Sequence, residues 1–470
     1  MMAQTSPANR AAAGRAVREY MKRSAHADAG KPERDAIALL EQSSAGRVPR
    51  LVPLRYGRML ASPFAFFRGS AILQAHDLGR LPGTGMVMPI CGDAHLLNFG
   101  GFATPERQLV FDLNDFDEAD EGPWEWDLKR LAVSFILAAR HLRLSRGTAE
   151  AMVEAVVRQY QARMRRYAEY SALELWYDRI TFERMLETAL TPERRRAIRH
   201  GMERAATRTH DTMLEKMAEL RDGTWTIREM PPAMFHVHGV NSLFDADDGW
   251  LRLDDWQELA GQMFARYLKT LAHDRRALLS HFRAHDLAFK VVGVGSVGTR
   301  CLVLLMTDDL GKPMFLQIKE ASPSVIRRSL SGKAAAHEGQ RVVLGQRVLQ
   351  AASDIFLGWS TGPTGRHFYF RQLRDMKLSA DIELFDLDVL EGYANLCGWS
   401  LARAHAKAGG KAIEIAAYMG RSDRFVEALL KYAASYADQV ERDYDAFAAA
   451  CRSGRLEART DEDMIADFRV

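Results

Sequence analysis

Acidic and amide side chains follow two short apolar runs in the first quarter of the chain. The segment Cys-Gly-Asp-Ala-His-Leu-Leu-Asn places Asp93 and Asn98 five residues apart, directly after the apolar run 86–90. Asp115 follows 17 residues after Asn98, behind a second apolar run at 108–113. Phosphoryl transfer needs a carboxylate that orients or deprotonates a hydroxyl, and oxygen ligands that hold Mg²⁺ on the phosphates. The two segments therefore supply these groups at the tips of adjacent predicted strands.

Two unrelated turns are the competing interpretation of these segments, because Asp, Asn and Gly dominate turns. Each segment leaves a strand, however, and the second runs into the apolar helical pattern Asp-Leu-Lys-Arg-Leu-Ala-Val-Ser-Phe-Ile-Leu. This combination favours a chemical site. Asp112 and Asp117 remain alternatives to Asp115 as the metal ligand.

A glycine-rich segment, Gly-Val-Gly-Ser-Val-Gly, occupies 293–298. Such a pattern occurs both in dinucleotide-binding folds and in kinases. A dinucleotide-binding fold requires a helix after the third glycine, whereas here the β-prone run 299–306 follows Gly298. A strand, a glycine turn and a second strand form a flap whose backbone N–H groups can cover phosphates. Gly293, Gly295, Ser296 and Gly298 are therefore predicted to contact a nucleotide.

Lys319 lies near the end of the next predicted strand, in Leu-Gln-Ile-Lys-Glu, which matches the Val-Ala-Ile-Lys strand of kinases. Such a lysine contacts the α- and β-phosphates and is positioned by a glutamate of the following helix. Glu338 is predicted to be that glutamate, because Glu320 would point to the opposite face of the strand. An edge-strand lysine that discourages aggregation and a solvated helix glutamate are the alternatives.

The first pair of segments resembles the pattern of aminoglycoside and choline kinases, His-Gly-Asp-x-His-x-x-Asn followed by Asp-Phe-Asp-x-Ala. The resemblance implies that Asp93 is the catalytic base, Asn98 a metal ligand and Asp115 the principal Mg²⁺ ligand. His95 matches the second histidine of the pattern. Cys91 replaces the first, which leaves the bracing between the two loops without its usual residue.

Other positions take their roles from the same resemblance. Asp127 matches the aspartate that opens the central helix of the large lobe and is expected to hold the backbone of the catalytic loop. Gln372 and Leu373 occupy the position of the hinge and are expected to contact adenine through backbone groups. A dense polar set beyond them could serve substrate or ribose, or form surface ion pairs: Arg371, Arg374, Asp375 and Lys377.

The two halves of this site occur in the reverse of the usual kinase order. Circular permutation produces this order and is tolerated when the old termini lie close together and the cut falls in an exposed connection. A chance match of one half, within a different α/β fold, is the alternative.

Longer motifs are similar to a bacterial family known as domain of unknown function 2252. They include SPFAFFRGSA, GDAHLLNFG, FDLNDFDEADEGPWEWDLKRLA, GVGSVGTR, LQIKEA and LARAHA, and the similarity covers roughly residues 30–450. The family is grouped with protein-kinase-like folds, so the resemblance implies a permuted kinase-like fold without naming a substrate. Phe64, Phe66, Phe67 and Arg68 belong to its pattern and are expected beside the catalytic loop, with Arg68 as a phosphate contact.

The elements expected to position these residues make an α+β chain with a helix-rich, then sheet-rich, then helix-rich order. We predict a two-lobed, circularly permuted kinase-like fold with a small antiparallel sheet lobe and a large helical lobe. The divisions are a solvated, partly disordered basic arm leading into a helix at 1–60, a catalytic and helical part at 61–285, a nucleotide-clamping lobe at 286–380, and closing helices at 381–470. The region from Trp124 to roughly Phe282 is predicted to be helical, and a helix is expected over roughly 332–352.

Composition restricts the class of protein. The chain has 64 basic and 61 acidic residues among 470, and this net charge of +3 argues against a dedicated nucleic-acid binder. Residues 1–60 carry a local excess of +6, from 11 basic and 5 acidic residues. A nucleic-acid contact at this segment is a minority interpretation. Four scattered cysteines indicate neither disulfides nor a cysteine zinc site. No secretory signal or membrane span is recognised, so a cytoplasmic location is expected. His236 and His238 form a His-x-His pair without an evident third ligand.

These observations together predict an Mg²⁺- and ATP-dependent phosphotransferase acting on a hydroxyl or amine of a small molecule. The alternatives are transfer of the AMP moiety onto a protein side chain, and a pseudokinase scaffold that binds ATP without catalysis. The acceptor, the oligomeric state and the pathway stay open.

Overall fold

The computed structural model describes residues 6–207, 210–236, 248, 250, 256–330, 332–373 and 376–465. It is a mixed α+β structure, 54% helical, with several small antiparallel sheets, so the predicted α+β class is confirmed. Arg374, Asp375 and His238 lie outside the described residues.

The helices are α1 (Pro7–Ala16), α2 (Ala36–Ser44), α3 (Val52–Met59), α4 (Pro63–Gly69), α5 (Ala71–Leu78), α6 (Trp124–His141), α7 (Arg146–Tyr167), α8 (Ala172–Tyr177), α9 (Phe182–Thr188), α10 (Pro192–Ala206), α11 (His210–Met217), α12 (Trp256–Leu268), α13 (His273–Leu279), α14 (Val325–Ser329), α15 (Glu338–Leu349), α16 (Leu387–Gly409), α17 (Ala412–Met419), α18 (Arg424–Arg452) and α19 (Asp461–Ile465).

The strands are β1 (Val87–Ile90), β2 (Phe99–Ala103), β3 (Leu109–Leu113), β4 (Asp120–Pro123), β5 (Ala218–Arg221), β6 (Thr224–Ile227), β7 (Met234–Phe235), β8 (Arg283–Lys290), β9 (Cys301–Thr307), β10 (Pro313–Glu320), β11 (Gly358–Thr361), β12 (His367–Gln372) and β13 (Leu378–Ser379). One sheet has the order β11-β12-β10-β9-β8-β7, a second β13-β2-β3, and two strand pairs are β1-β4 and β5-β6.

The six-stranded sheet carries the glycine segment and Lys319. Strands β8 and β9 pair antiparallel, with Phe289 opposite Leu302, so the glycine segment connects two strands as predicted. Every residue of β9 and β10 is buried, which is the pattern of strands covered on both faces. Lys319 lies opposite Cys301 of β9 and Tyr369 of β12, in the middle of the sheet. It is therefore not the edge-strand lysine considered above.

The largest hydrophobic core is built from helices on either side of α6. Nearly all of α6 from Trp124 to Ala139 is buried, because α7 and α18 pack against it. Helix α16 packs on α7 and on β1. The strand that precedes Asp93 is therefore fixed by helices from both ends of the chain.

The basic N-terminal segment is not a solvated arm. Arg34 forms buried ion pairs with Asp77 at 2.8 Å and with Asp443 at 2.7 Å. Val48 and Leu54 are fully buried in a second core, beneath the six-stranded sheet. Much of the positive charge of residues 6–60 is thus used in contacts within the fold.

Two predicted helical regions are wrong in extent. Strands β5, β6 and β7 interrupt the region 124–282, where Asp222 and Gly223 form the turn between β5 and β6 with φ of 49° and 79°. An Asp-Gly pair is a strong hairpin signal, and it outweighed the helical spacing of the flanking residues. The helix expected over 332–352 begins only at Glu338. No helix of the described ranges is long and apolar enough to cross a membrane.

Candidate active site

The loop that carries Asp93 is fixed by the N-terminal end of α6. The buried Asp127 carboxylate accepts hydrogen bonds from the backbone N–H of Cys91 at 2.7 Å and of Gly92 at 2.8 Å. Gly92 has a φ of 81°, and a Cβ there would lie 2.3 Å from the Glu118 carbonyl oxygen. The turn therefore requires glycine, and the predicted role of Asp127 in holding this backbone is confirmed.

Asp93 is paired with a cation from the same helix. Arg130, one turn after Asp127 on α6, donates from Nε to Asp93 Oδ1 at 2.8 Å. Its guanidinium lies 3.6 Å from the ring centroid of Phe67 and donates to the Phe67 carbonyl oxygen at 2.7 Å. The Asp93 side chain keeps 19% of its surface exposed. A carboxylate that is partly exposed and oriented by an arginine is placed to contact a ligand in the cavity.

His95 lies beside Asp93, with 3.9 Å between Nε2 and the Asp93 Oδ2 atom. Burial, together with the charges of Arg68 and Arg130, lowers the pKa of His95 well below its ordinary value. Its Nδ1 atom is buried without a hydrogen-bond partner among the described residues. The ring is therefore neutral at pH 7 and presents an unused polar atom.

Two contacts connect the Asp93 loop with the loop that carries Asp115. The backbone N–H of Asn114 donates to the Asn98 carbonyl oxygen at 2.8 Å. Burial raises the pKa of Cys91 well above its ordinary value, so the residue is a thiol, and its Sγ donates to the Asp115 carbonyl oxygen at 3.2 Å. Cys91 therefore connects the two loops at the position where the kinase pattern has its first histidine. The Asn98 side chain donates from Nδ2 to the Asp93 carbonyl oxygen at 2.7 Å.

Lys319 forms its ion pair with Asp117. Tyr369 Oη donates to the same carboxylate at 2.7 Å, and Ser296 Oγ lies 3.3 Å from it. Burial tends to raise the pKa of Asp117, but the charge and hydrogen bond of Lys319 outweigh it and lower the pKa. Burial and the neighbouring Asp117 carboxylate raise the pKa of Asp115, which Lys319 partly offsets. Lys319 thus acts on both carboxylates although it contacts one.

The expected ion pair between Lys319 and Glu338 is not formed. Glu338 is the first residue of α15, and its Oε2 accepts from Arg341 Nε at 2.5 Å, one helical turn away. Arg341 also donates to the carbonyl oxygens of Asp117 at 2.9 Å and Ala119 at 2.5 Å. Glu338 therefore orients an arginine that fixes the acidic loop, and acts on Asp117 indirectly.

The glycine segment is held from outside the sheet. The backbone N–H of Val48 donates to the Gly298 carbonyl oxygen at 2.8 Å, and Arg58 donates to the Gly293 carbonyl oxygen at 2.9 Å. Gly293 and Gly298 have φ of 62° and 83°, a region that favours glycine. Of the predicted glycine-segment residues, Gly293, Gly295 and Ser296 face the cavity described next.

One cavity of about 200 Å³ brings the two halves of the site together. Residues of the catalytic segments line it: Asp93, His95, Asn98, Asp115, Asp117 and Glu118. Gly293, Val294, Gly295 and Ser296 line it from the sheet. Lys319 and Asp117 are 202 residues apart in sequence and in direct contact. Lys319 is not among the residues that line the cavity, and it reaches the site through its contact with Asp117.

Gln372 and Leu373 do not line this cavity. The Gln372 backbone N–H donates to Asp354, and the Leu373 N–H donates to the Phe315 carbonyl oxygen at 2.8 Å. The backbone donors expected to contact adenine therefore already have acceptors within the protein.

The acidic groups at the cavity suit a divalent cation that also binds phosphate. Asp115 and Asp117 are two residues apart and Lys319 pairs with Asp117, and the raised pKa of Asp115 reflects its burial and then the neighbouring Asp117 carboxylate. Mg²⁺ needs only one or two carboxylates when phosphates and water complete its shell. Within the described ranges, no group of three or more His, Cys, Asp or Glu side chains could hold a metal by itself.

The His-x-His alternative is not supported at the residue that can be checked. His236 Nε2 lies 2.8 Å from Asp286 Oδ2, and Nδ1 lies 2.9 Å from Glu229 Oε1. Both ring nitrogens of His236 therefore contact carboxylates of the protein, and the contact with Asp286 joins the end of β7 to β8.

Sequence reasoning missed Arg130 and three arginines that line the cavity, Arg47, Arg55 and Arg328. Arg130 has a usable signal, because it follows Asp127 by three residues and so shares its helix face. Arg47 and Arg55 line the cavity from the N-terminal segment. Arg47 contacts Val297, 250 positions away, and Arg55 contacts residues 11 to 14 positions away, and neither spacing is a recognisable motif.

Comparison with known proteins adds a family and no function. Neither a curated protein nor a solved structure matches the chain. Residues 47–450 match the family described as an uncharacterized protein conserved in bacteria (DUF2252), and the chain belongs to this family.

Proposed function

We propose that this protein is an Mg²⁺- and ATP-dependent phosphotransferase that acts on a hydroxyl or amine of a small molecule. The observation that carries the proposal is the shared cavity. A candidate base, two adjacent metal-binding carboxylates and a glycine-rich turn between two strands line a space of about 200 Å³. Phosphoryl transfer depends on positioning and charge stabilisation by such groups.

We further propose that the fold is a circularly permuted relative of the two-lobed kinases. The proposal is supported by the antiparallel order β12-β10-β9-β8, which holds the glycine turn and the lysine strand side by side. It is also supported by α16, which packs on β1 before the Asp93 loop, as the helix preceding the catalytic loop would. In this arrangement the catalytic loop comes first in the sequence, and the glycine segment and the lysine strand follow it.

Each side chain then has a defined task. Asp93, oriented by Arg130, accepts the proton of the acceptor as the acceptor oxygen or nitrogen bonds to the γ-phosphorus and the bond to the β,γ-bridging oxygen breaks. ADP carries away the electron pair of that bond. Asn98, Asp115 and Asp117 would hold Mg²⁺, which supplies charge neutralisation on the phosphates when bound. Lys319 keeps Asp117 ionised and adds positive charge beside the phosphates.

Transfer of the nucleotide moiety is a second candidate, favoured by one observation. The backbone N–H groups of Gln372 and Leu373, which would bind the adenine ring in the ordinary orientation, are already hydrogen-bonded. A nucleotide whose base lies elsewhere could present its α-phosphorus to the acceptor. The pseudokinase alternative has less support, because every catalytic position carries a competent side chain.

Labelled ATP separates these functions. The full chain is incubated with Mg²⁺, a bacterial small-molecule extract or protein extract, and ATP labelled at the α- or γ-phosphate. We expect transfer of the γ label, reduced about 10²–10⁴-fold in Asp93→Asn and abolished in Asp115→Ala. Asp438→Asn, at an exposed carboxylate on α18, is the matched control and should behave as the parent.

Each other outcome selects a different function. Transfer of the α label supports nucleotidyl transfer. Nucleotide binding without transfer of either label supports the scaffold. A chain that binds no ATP contradicts all three proposals.

A further inference from the structure

Three arginines of the N-terminal segment line the cavity next to Asp93. Arg47 follows α2, Arg55 lies on α3, and Arg68 lies at the end of α4. All three face the same space as the candidate base. We refer to Arg47, Arg55 and Arg68 together as the arginine site.

No ion pair joins the three arginines of the site to a carboxylate among the described residues, although the charges of Glu118, Asp117 and Glu320 act on Arg47 from a distance. Arg55 donates to the Ser44 hydroxyl at 2.6 Å and to the Gly69 carbonyl oxygen at 2.7 Å. Arg47 donates to two carbonyl oxygens, that of Val297 at 2.6 Å among them. These acceptors are neutral.

Other buried arginines of this protein are compensated by carboxylates. Arg403 is paired with Asp112 at 2.9 Å, and neither side chain has exposed surface. Arg341 is paired with Glu338 at 2.5 Å. The fold therefore neutralises buried guanidinium groups elsewhere, and the arginine site departs from that pattern.

Arg68 is the least satisfied member of the site. Its Nε atom is buried without a hydrogen-bond partner among the described residues, and its guanidinium carbon lies 5.9 Å from the ring centroid of Phe64. Burial lowers the pKa of Arg68, and the charge that opposes this effect is that of Asp93. Burial also lowers the pKa of Arg47 and Arg55. Arg55 is buried, and Arg47 and Arg68 are half-buried. A cation withdrawn from water is costly unless an anion pairs with it, so a bound anion would complete the site.

Arg68 is the member of the arginine site that interacts with the candidate base. Burial lowers the pKa of Arg68 and the charge of Asp93 opposes this effect, whereas Lys319 acts on Asp115 and Asp117. A Cβ on Gly295 would lie 3.3 Å from the Arg68 carbonyl oxygen, so Arg68 lies under the tip of the glycine segment. An anion bound by Arg68 would therefore lie beside the candidate base, where an acceptor must place its reacting group.

We propose that the arginine site binds an oxyanion of the acceptor, and that the acceptor is a small molecule carrying a phosphate group beside the hydroxyl or amine it presents to Asp93. This inference rests on the proposed phosphotransfer. Guanidinium groups match the geometry of phosphate oxygens and bind them with two parallel hydrogen bonds.

Inorganic phosphate is the probe of the site. Calorimetric titration of the full chain should show a dissociation constant in the millimolar range or tighter, as expected for so small a ligand. Arg68→Gln should raise that constant at least about tenfold, because a charge-assisted contact is lost. Arg158→Gln, at an exposed arginine on α7 paired with Asp423, is the matched control and should change it less than about twofold.

A conservative variant guards against a folding defect. Arg68→Lys keeps the charge but loses the two-pronged geometry, so its affinity for phosphate should lie between those of the parent and Arg68→Gln. The absence of phosphate binding in the parent, or equal binding by the parent and Arg68→Gln, overturns the proposal.

A second titration, at saturating Mg²⁺ and a non-hydrolysable ATP analogue, identifies the source of the phosphate. Unchanged phosphate affinity assigns the site to the acceptor. Competition between phosphate and the analogue assigns it to the nucleotide and overturns the acceptor proposal. A chain that binds phosphate through Arg68 but not the analogue refutes the proposed phosphotransfer, and the acceptor assignment with it, while the anion site itself stands.

Discussion

Replacing Asp127 with alanine should destabilise the protein strongly, although Asp127 is not expected to touch a ligand. The Asp127 residue is 1% exposed and its carboxylate accepts two backbone N–H groups, at 2.7 and 2.8 Å. His405 Nε2 lies 3.1 Å from the same carboxylate. Alanine would leave both N–H groups buried without acceptors.

The expected loss follows from the number of contacts. A hydrogen bond to a charged group contributes about 1.5–3 kcal/mol, and two of them give about 3–6 kcal/mol. Because whole domains are stable by only about 5–15 kcal/mol, Asp127→Ala should fold marginally. Asp127→Asn keeps one acceptor oxygen but turns an amide N–H towards a second donor, so it should lose about half as much.

Urea unfolding followed by circular dichroism measures these differences. Asp438→Ala, which removes an exposed ion pair with Arg140, is the control and should cost less than about 1 kcal/mol. In the same variants, label transfer should fall further than ATP affinity, because Asp127 positions the Asp93 loop and not the phosphates. An Asp127→Ala variant within about 1 kcal/mol of the parent would refute the proposed bracing of this loop.

Further predictions concern the acidic loop. Lys319→Met should cost about 3 kcal/mol in urea unfolding, because it leaves Asp117 without its cation, and adding Asp117→Asn should recover part of the loss in a double-mutant cycle. Tyr369→Phe removes the 2.7 Å hydrogen bond to Asp117 and should cost about 1.5–3 kcal/mol; an unchanged urea midpoint would contradict it. Burial raises the pKa of Glu118 from 4.5 to about 7, so the unfolded chain ionises first and the stability of the parent falls as pH rises from 4.5 to about 7. Glu118→Gln should therefore be about 3 kcal/mol more stable than the parent at pH 8 and equal to it near pH 4, and a constant difference in melting temperature across this range would contradict the assignment.

Local sequence patterns predicted the parts of the site that depend on neighbouring residues. The apolar, β-prone run after Gly298 indicated a strand, and β9 forms there because both of its faces are covered. The role of Asp127 came from the resemblance to the kinase pattern, and its hydrogen bonds to Cys91 and Gly92 agree with that role. In each case the contacts follow from the element to which the residue belongs.

Contacts between distant elements were not predictable in the same way. The spacing from Lys319 to Glu338 suggested an ion pair, but α15 begins at Glu338, which brings its carboxylate to Arg341 one turn away. Lys319 is then left to Asp117, one of two aspartates that sequence alone could not separate from Asp115. Which acidic residue pairs with Lys319 depends on where α15 begins and on the path of the acidic loop. Residue spacing in the sequence specifies neither of these.

The contact between Lys319 and Asp117 has a consequence for synthesis on the ribosome. The two residues are 202 positions apart, so at about 5–20 residues per second the acidic loop emerges about 10–40 seconds before its lysine. Helices α16 and α18, which complete the core around α6 and α7, emerge later still. Throughout that interval neither α16 nor α18 is available to pack on the first half of the chain, so the apolar face of α6 stays exposed. The first half of this protein is therefore a candidate client for chaperones that bind exposed apolar helices.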